Sequence, residues 1–292
     1  MAGNRFLATL IFMALGLVAT GCNNGMINNL LGSVSKPEAK ISDAKLEDFD
    51  AQSITLKLGV DVSNPYPLPL PMSDLKYTLS AGNDLTKSLV SGGTDSGPTT
   101  IPAHGTKTLQ VPVKIQFADL LQSAQGIKLG QMVPYKAGVT VMLKDPTTEK
   151  EFEIPLEHSG EAPVPAPPHV TVSSFAWDKM SMTSAAGSVK LNVRNDNAFA
   201  ATLTKLSYGL KLNGASLLDG VNEDGIKLDP GASQDLTIPF SISPMKLGAA
   251  GLQMMQGKPM DYELDGLADL STPFGPLKLN YGSKDKVETA KQ

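Results

Sequence analysis

The sequence predicts an all-β protein: two tandem antiparallel β-sandwiches, each carrying one short helix. Three observations lead there. Residues 37–80 lie over residues 168–211 at a constant offset of 131, so that Val62 meets Val193, Asn64 meets Asn195, and Leu75, Tyr77 and Leu79 meet Leu206, Tyr208 and Leu210. A second block, 101–115, lies over 228–242 at an offset of 127, carried by Leu109/Leu236, Val111/Ile238 and Pro112/Pro239. In both copies apolar residues alternate with polar ones, the period of a strand with one buried face. Copies of ~125 residues are too long for a solenoid of short repeats and large enough to bury a core each.

Residues 1–21 stand apart from that pattern. Arg5 precedes an apolar run, Phe6 to Val18, followed by Val18-Ala19-Thr20-Gly21-Cys22. This is the layout of a secretory signal peptide. The apolar stretch is shorter than the ~20 residues a membrane span needs. The junction resembles the lipobox of bacterial lipoproteins at Gly21 and Cys22, with Ala19 standing where Leu is usual. That resemblance implies cleavage before Cys22 and a lipid on its thiol. Cys22 is the only cysteine in the chain, so no intramolecular disulfide competes for it. Asn23 follows it, whereas an Asp there resembles the inner-membrane retention signal of enteric-type bacteria. The expected location is therefore the outer membrane, facing the periplasm. Residues 22–36 are polar and read as a tether.

The first domain is expected over 37–160. Ile54, Leu56, Leu58, Val60 and Val62 point to one face, and Thr55, Lys57, Gly59 and Asp61 to the other. The second domain, 168–283, repeats the parity with Val189, Leu191 and Val193 inward. Further strands are expected at 75–79, 109–115, 139–143 and 152–156, and in the second copy at 206–212, 236–242, weakly at 262–264, and at 277–281. Pro, Gly, Asn and Asp punctuate them, as in a β-sandwich. Phe117, Leu120, Leu121, Ala124 and Ile127 recur at helical spacing, as do Leu247, Ala250, Gly251 and Met254. The alternating prolines of 161–167 predict an extended spacer between two independently folding domains. The tail, 284–292, is polar and expected to fray.

The strand ends carry a family resemblance. Val62-Ser63-Asn64-Pro65-Tyr66 and Val193-Arg194-Asn195-Asp196-Asn197 each precede a Leu-x-Tyr strand, and Ile101-Pro102 and Leu228-Asp229-Pro230 open later turns. This pattern resembles the group-2 late-embryogenesis-abundant domain, also called the WHy (water stress and hypersensitive response) domain, over residues 37–283. The first copy departs from Asn-Pro-Asn at Tyr66, and the second at Asp196. The resemblance implies an Ig-like or fibronectin-III-like sandwich, an association with desiccation and stress tolerance, and no known catalysis. Physically the motif reads as structural. Asn at a strand end can bond its own backbone, and a following Pro ends ladder pairing. Asn64, Pro65, Asn195 and Asn197 are thus expected to turn the chain, each Asn contributing on the order of 1 kcal/mol if one hydrogen bond is involved.

Chemistry is sparse. Net charge is −4, and loss of Arg5 leaves 24 basic residues against 29 acidic, with no basic run to attract nucleic acid. A hydrophobic share of 41% is that of a globular chain rather than a disordered one. His104, His158 and His169 have no partners at metal-ligand spacing, so neither metal nor cofactor is expected. No nucleophile elbow or phosphate-binding glycine loop is present. Asp43, Asp48 and Asp50 lack the ligand order of a calcium loop. Met245, Met254 and Met255 could form an adaptable apolar contact, although core filling suits an aromatic-poor domain better. Trp177 falls on an inward parity.

These observations favour a non-enzymatic, lipid-anchored envelope protein that protects other envelope components by stoichiometric binding during water or osmotic stress. Two alternatives stay open: a carrier of lipid or another hydrophobic ligand, and a structural spacer or adaptor at the outer membrane. The expected partners are the membrane, through the N-terminal lipid, and envelope proteins or lipids.

Overall fold

A computed structural model describes residues 36–288 apart from 94–98, 124–125, 147 and 182; the signal peptide, the tether and Cys22 lie outside the described residues. The first copy runs β1 (Glu38–Glu47), β2 (Ser53–Ser63), β3 (Leu70–Ala81), β4 (Val90–Gly93), β5 (Thr99–Ile101), β6 (Thr106–Gln116), a helix Phe117–Ser123, β7 (Met132–Lys144) and β8 (Glu151–Pro163). The second runs β9 (His169–Met180), β10 (Ala185–Arg194), β11 (Ala201–Leu212), β12 (Ala215–Asn222), β13 (Ile226–Leu228), β14 (Ser233–Ile242), a 3-10 turn Pro244–Leu247, a helix Ala249–Met255, β15 (Met260–Thr272) and β16 (Gly275–Val287). Each copy is a sandwich of two antiparallel sheets. In the first, β1-β2-β6 packs against β4-β3-β7-β8, with β5 also on β3; in the second, β9-β10-β14 packs against β12-β11-β15-β16, with β13 on β11.

Two of the ladder irregularities recur at matching positions in both copies. The β1–β2 ladder slips at Ser42, whose hydroxyl donates to the Gly59 carbonyl, and β9–β10 slips at the matching Ser173, whose hydroxyl donates to the Lys190 carbonyl. The β3–β7 ladder slips at Ser73 and β11–β15 at the matching Thr204, each hydroxyl donating across the gap to Met142 and Asp269. A bulge leaves one residue without its ladder partner. In all four a short hydroxyl side chain fills the gap with a bond to the neighbouring strand.

Alternation sets the core. Ile54, Leu56, Leu58, Val60 and Val62 are fully buried, as are Val189 and Val193, with Leu191 at 1% exposure. Four glycines sit directly across from tyrosines: Gly92 from Tyr77, Gly160 from Tyr135, Gly220 from Tyr208, and Gly266 from Tyr281. At Gly92, Gly160 and Gly220 the ring lies within 3 Å of where a β-carbon would stand, so glycine makes room for the ring; at Gly266 the Ser207 backbone carbonyl and the Tyr281 hydroxyl occupy that space. Burial pushes the Tyr281 phenol far above its ordinary pKa, and its hydroxyl donates to the Ser207 carbonyl at 2.9 Å.

The two sandwiches meet head to tail. Phe49, in the β1–β2 turn, lies at the end of the first domain where the helix begins. Its ring meets Phe117 at 6.3 Å within that domain, and Phe199 at 6.2 Å and Phe274 at 6.0 Å in the second. Phe199 and Phe274 meet at 5.4 Å, all four contacts edge to face, the favoured aromatic geometry. Phe49, Phe117 and Phe199 are buried, so the two cores are continuous through this cluster.

The region between the domains differs from the expected spacer. Residues 161–163 complete β8 against Met132–Pro134 of β7. Val164 is fully buried and Ala166 is 7% exposed. The sequence pattern could not reveal this, because burial comes from β7 on one side and the second domain on the other. The C-terminal boundary also moves outward. β16 continues past 283 to Val287, which pairs with Met260 and is buried, while Lys284 bridges Glu263 at 2.7 Å. Its polar residues face outward on an edge strand, so the polarity that read as a tail is one face of a strand.

Candidate functional site

The motif asparagines Asn64 and Asn195 are buried and each makes four or more side-chain hydrogen bonds. Asn64, 1% exposed, donates through Nδ2 to the carbonyls of Leu68 (2.9 Å), Ile101 (3.3 Å) and Pro102 (3.0 Å), and its Oδ1 accepts the Tyr66 N–H at 2.9 Å. Asn195, 2% exposed, repeats the set with Phe199 (2.8 Å), Leu228 (3.2 Å) and Asp229 (3.3 Å), accepting the Asn197 N–H at 3.0 Å. An amide has two N–H groups, so three carbonyls must share them. Each Asn therefore ties the end of β2 or β10 to the loop before β3 or β11, to the end of β5 or β13, and to the turn before β6 or β14. A side chain so committed has little left to offer a ligand. That turn also holds His104, at φ 51°, where the second copy places Gly231 at φ 71°. His104 thus occupies a left-handed turn position, a role that local polarity does not reveal.

Asn197 has a further task. Its Oδ1 accepts the Ala166 N–H at 2.7 Å, and its Nδ2 donates to the Ala166 carbonyl at 3.0 Å and to Asn195 Oδ1 at 2.9 Å. Around it the Gly130 N–H donates to Val164 O (2.7 Å), the Val164 N–H to Gln131 O (2.9 Å), and the Ala198 N–H to Gly130 O (2.6 Å). Gly130 is at φ 86°, and a β-carbon there would stand 2.3 Å from the Asp196 carbonyl oxygen. The result is a clasp of backbone and amide groups across three segments: the loop before β7, residues 164–166, and the Asn195 turn. Asn197 matches Tyr66 in the first copy, so this amide clasp is particular to the second.

The remaining candidates do not converge. His158 stands opposite Ala137 with its ring 6.0 Å from Tyr135, and His169 opens β9 opposite Arg194. Among the described residues no group of three or more His, Cys, Asp or Glu could hold a metal. Asp43, Asp50, Glu47 and Glu223 are structural or paired. Lys45, bonded at 2.6 Å, holds the Asp43 carboxyl below its ordinary pKa. At Asp50 burial opposes ionisation, but bonds from the Gln52 and Ser53 N–H groups and the Ser53 hydroxyl win and lower its pKa. The matching Ser181 accepts the Ser184 N–H in the same turn at 3.0 Å. Glu47 pairs with Lys57 and Glu223 with Lys205.

The methionines divide. Met254 is buried at 1% exposure, while Met245 is 66% exposed and, with Pro244, Gly248, Gly251, Leu252 and Met255, lines an apolar groove of about 240 Å³. Trp177 is half-buried, against Phe240 at 5.2 Å and Phe175 at 6.1 Å. A larger polar recess of about 590 Å³ lies between the β3–β4 loop and Ser123.

The late embryogenesis abundant protein model of the LEA_2 family matches residues 59–160 and 190–283, one match in each sandwich. The chain belongs to this family. Its LEA domains resemble the desiccation protectant protein Lea14 homolog of Glycine max, 32% identical over 134 residues that cover 46% of this chain and 84% of the relative. The Lea14-A protein of Gossypium hirsutum is 29% identical over 136 residues, covering 46% and 86%. A solution structure of an Arabidopsis thaliana late embryogenesis abundant protein is 22% identical, covers 49% of this chain and 79% of its own, and has a TM-score of 0.37. Each of these relatives aligns with less than half of this chain, which carries the LEA domain twice.

Proposed function

We propose that this protein acts in desiccation or osmotic stress by stoichiometric contact between its LEA domains and components of the cell envelope, to which a lipid on Cys22 anchors it. The observation that carries the reading is the LEA match in both copies, with relatives named for desiccation protection. Contact at the surface suits this molecule better than carriage of a ligand between the sheets. The inward residues Ile54, Leu56, Leu58 and Leu70 are fully buried, so the interior space is filled by the chain's own side chains.

Two measurements test it. In an assay of client proteins dried together with this protein, protection should scale with the molar ratio of protein to client. It should survive joint alanine replacement of His104, His158 and His169. Protection that saturates at a small fraction of the client, or vanishes in the triple variant, would refute stoichiometric contact. Protection absent at every ratio would favour the spacer or carrier readings. The anchor has its own test: Cys22→Ala should leave an unlipidated precursor that no longer partitions into the detergent phase. Unchanged processing and partitioning would refute the anchor alone.

A further inference from the structure

We propose that Met245 is an oxidant-consuming modification site: its thioether takes up oxygen from hydrogen peroxide or hypochlorous acid while the fold stays intact. The methionines of the two sandwiches stand at graded exposure. Met72, Met254 and Met260 are buried, at 5%, 1% and 1% exposure. Met132, Met142 and Met255 are partly buried. Met245 is 66% exposed, and among the described side chains no other methionine is exposed. Oxidation of a thioether follows the access of the oxidant to the sulfur, so the order of exposure sets the order of reaction.

Local structure keeps that sulfur at the surface. Met245 follows Pro244 in the 3-10 turn Pro244–Leu247, which ends at Gly248 with φ 56°. The Gly248 N–H donates to the Met245 carbonyl at 3.2 Å, and the Lys246 N–H to the Ser243 carbonyl at 3.0 Å. Leu247 of the same turn packs against the core. The backbone is thus fixed by the turn and by Leu247, while the Met245 side chain lies along the groove it shares with Met255. Gly248 and Gly251 in the same lining carry no side chain to cover the sulfur.

With hydrogen peroxide, a lone pair on Met245 Sδ attacks one peroxide oxygen. An S–O bond forms as the O–O bond breaks, and the departing hydroxide takes the proton of the transferred oxygen and leaves as water. With hypochlorous acid the products are the sulfoxide, a chloride ion and a proton. In both cases the sulfur is oxidised and the oxidant reduced by two electrons. The sulfoxide is polar where the thioether was apolar. At Met245 it faces water and disturbs no core contact, whereas at Met254 it would place a polar group in the core. The chain therefore consumes oxidant at a position where the fold tolerates the product. An exposed sulfoxide is also within reach of a sulfoxide reductase, which restores the thioether.

The test uses the full chain with Cys22→Ser, so that no thiol competes. In excess hydrogen peroxide, peptide mass mapping over time should show Met245 converting at least about tenfold faster than Met72, Met254 and Met260, and faster than Met132, Met142 and Met255. A sample taken when Met245 is fully oxidised and the buried methionines are intact should melt as the untreated protein does. Met245→Leu should also melt unchanged. With one equivalent of hypochlorous acid, the oxidation of Met255 should be greater in Met245→Leu than in the parent, because the first acceptor is gone. Oxidation of Met245 no faster than that of Met132 and Met142 would overturn the proposal. So would a melting temperature that falls in step with the Met245 sulfoxide, and so would equal oxidation of Met255 with and without Met245.

Discussion

Phe49→Ala is expected to lower the stability of the chain by about 3–5 kcal/mol, the range for truncating a buried aromatic. It should also separate one melting transition into two. Phe49 is 6% exposed and is the only ring of the first domain in edge-to-face contact with both Phe199 and Phe274 among the described residues. Removing it empties the centre of the shared cluster. Residues 164–166 and Asn197 would still hold the domains together, but the hydrophobic coupling would be gone. Calorimetry of Phe49→Ala, Phe199→Ala and the double variant checks this. The interaction term between neighbouring core residues should fall within about 0.5–3 kcal/mol. Strict additivity, with each single substitution shifting only its own domain's transition, would mean that the sandwiches fold independently. The fragments 37–160 and 168–283 give the complementary measurement. Each should retain β-type circular dichroism but melt lower than in the whole chain, since each exposes its half of the cluster.

Asn195→Ala is expected to cost about 2–4 kcal/mol and to be the more damaging of the two motif substitutions. The carbonyls of Phe199 and Leu228 lose a buried donor, and the Asn197 amide loses an acceptor. A buried polar group left unsatisfied costs about 1–3 kcal/mol, and water can reach only part of this turn. Spread over a unit of this size, the loss corresponds to a fall in Tm of roughly 5–10 °C. Asn195→Asp should not rescue it, because the carboxylate keeps the acceptor but brings no donor to three carbonyls. Asn64→Ala should cost somewhat less, since Asn64 has no second asparagine leaning on it. These values exceed the ~1 kcal/mol expected from a single turn bond, because one amide serves several backbone groups at once. Normal melting of Asn195→Ala with loss of protective contact would instead make the residue part of a binding surface.

The strands with one buried face were legible because their period of two repeats in register in both copies: Ile54 to Val62 and Val189 to Val193 are inward in pattern and in structure. The helices were legible in part. Phe117 and Leu120, and Ala250 and Met254, are buried at the expected spacing. The edge strands were harder to read. β1 and β9 carry bulges that break the alternation at Ser42 and Ser173. The interior strand β15 was read weakly for another reason: charged and apolar residues alternate along it because only one of its faces is buried.

By itself the sequence determined the duplication, the class of fold, the family and the turn positions, because each of these is written in local chemistry and repeats at a constant spacing. Only the tertiary structure decided how the copies join. Phe49, Gly130, Ala166, Asn197 and Phe274 are far apart along the chain, and three of them have no counterpart of like chemistry in the other copy. A repeat reveals what two domains share. An interface between them is built from what they do not share, and its energy exists only when distant segments meet, as at the Phe49–Phe199 contact and the Asn197–Ala166 bonds.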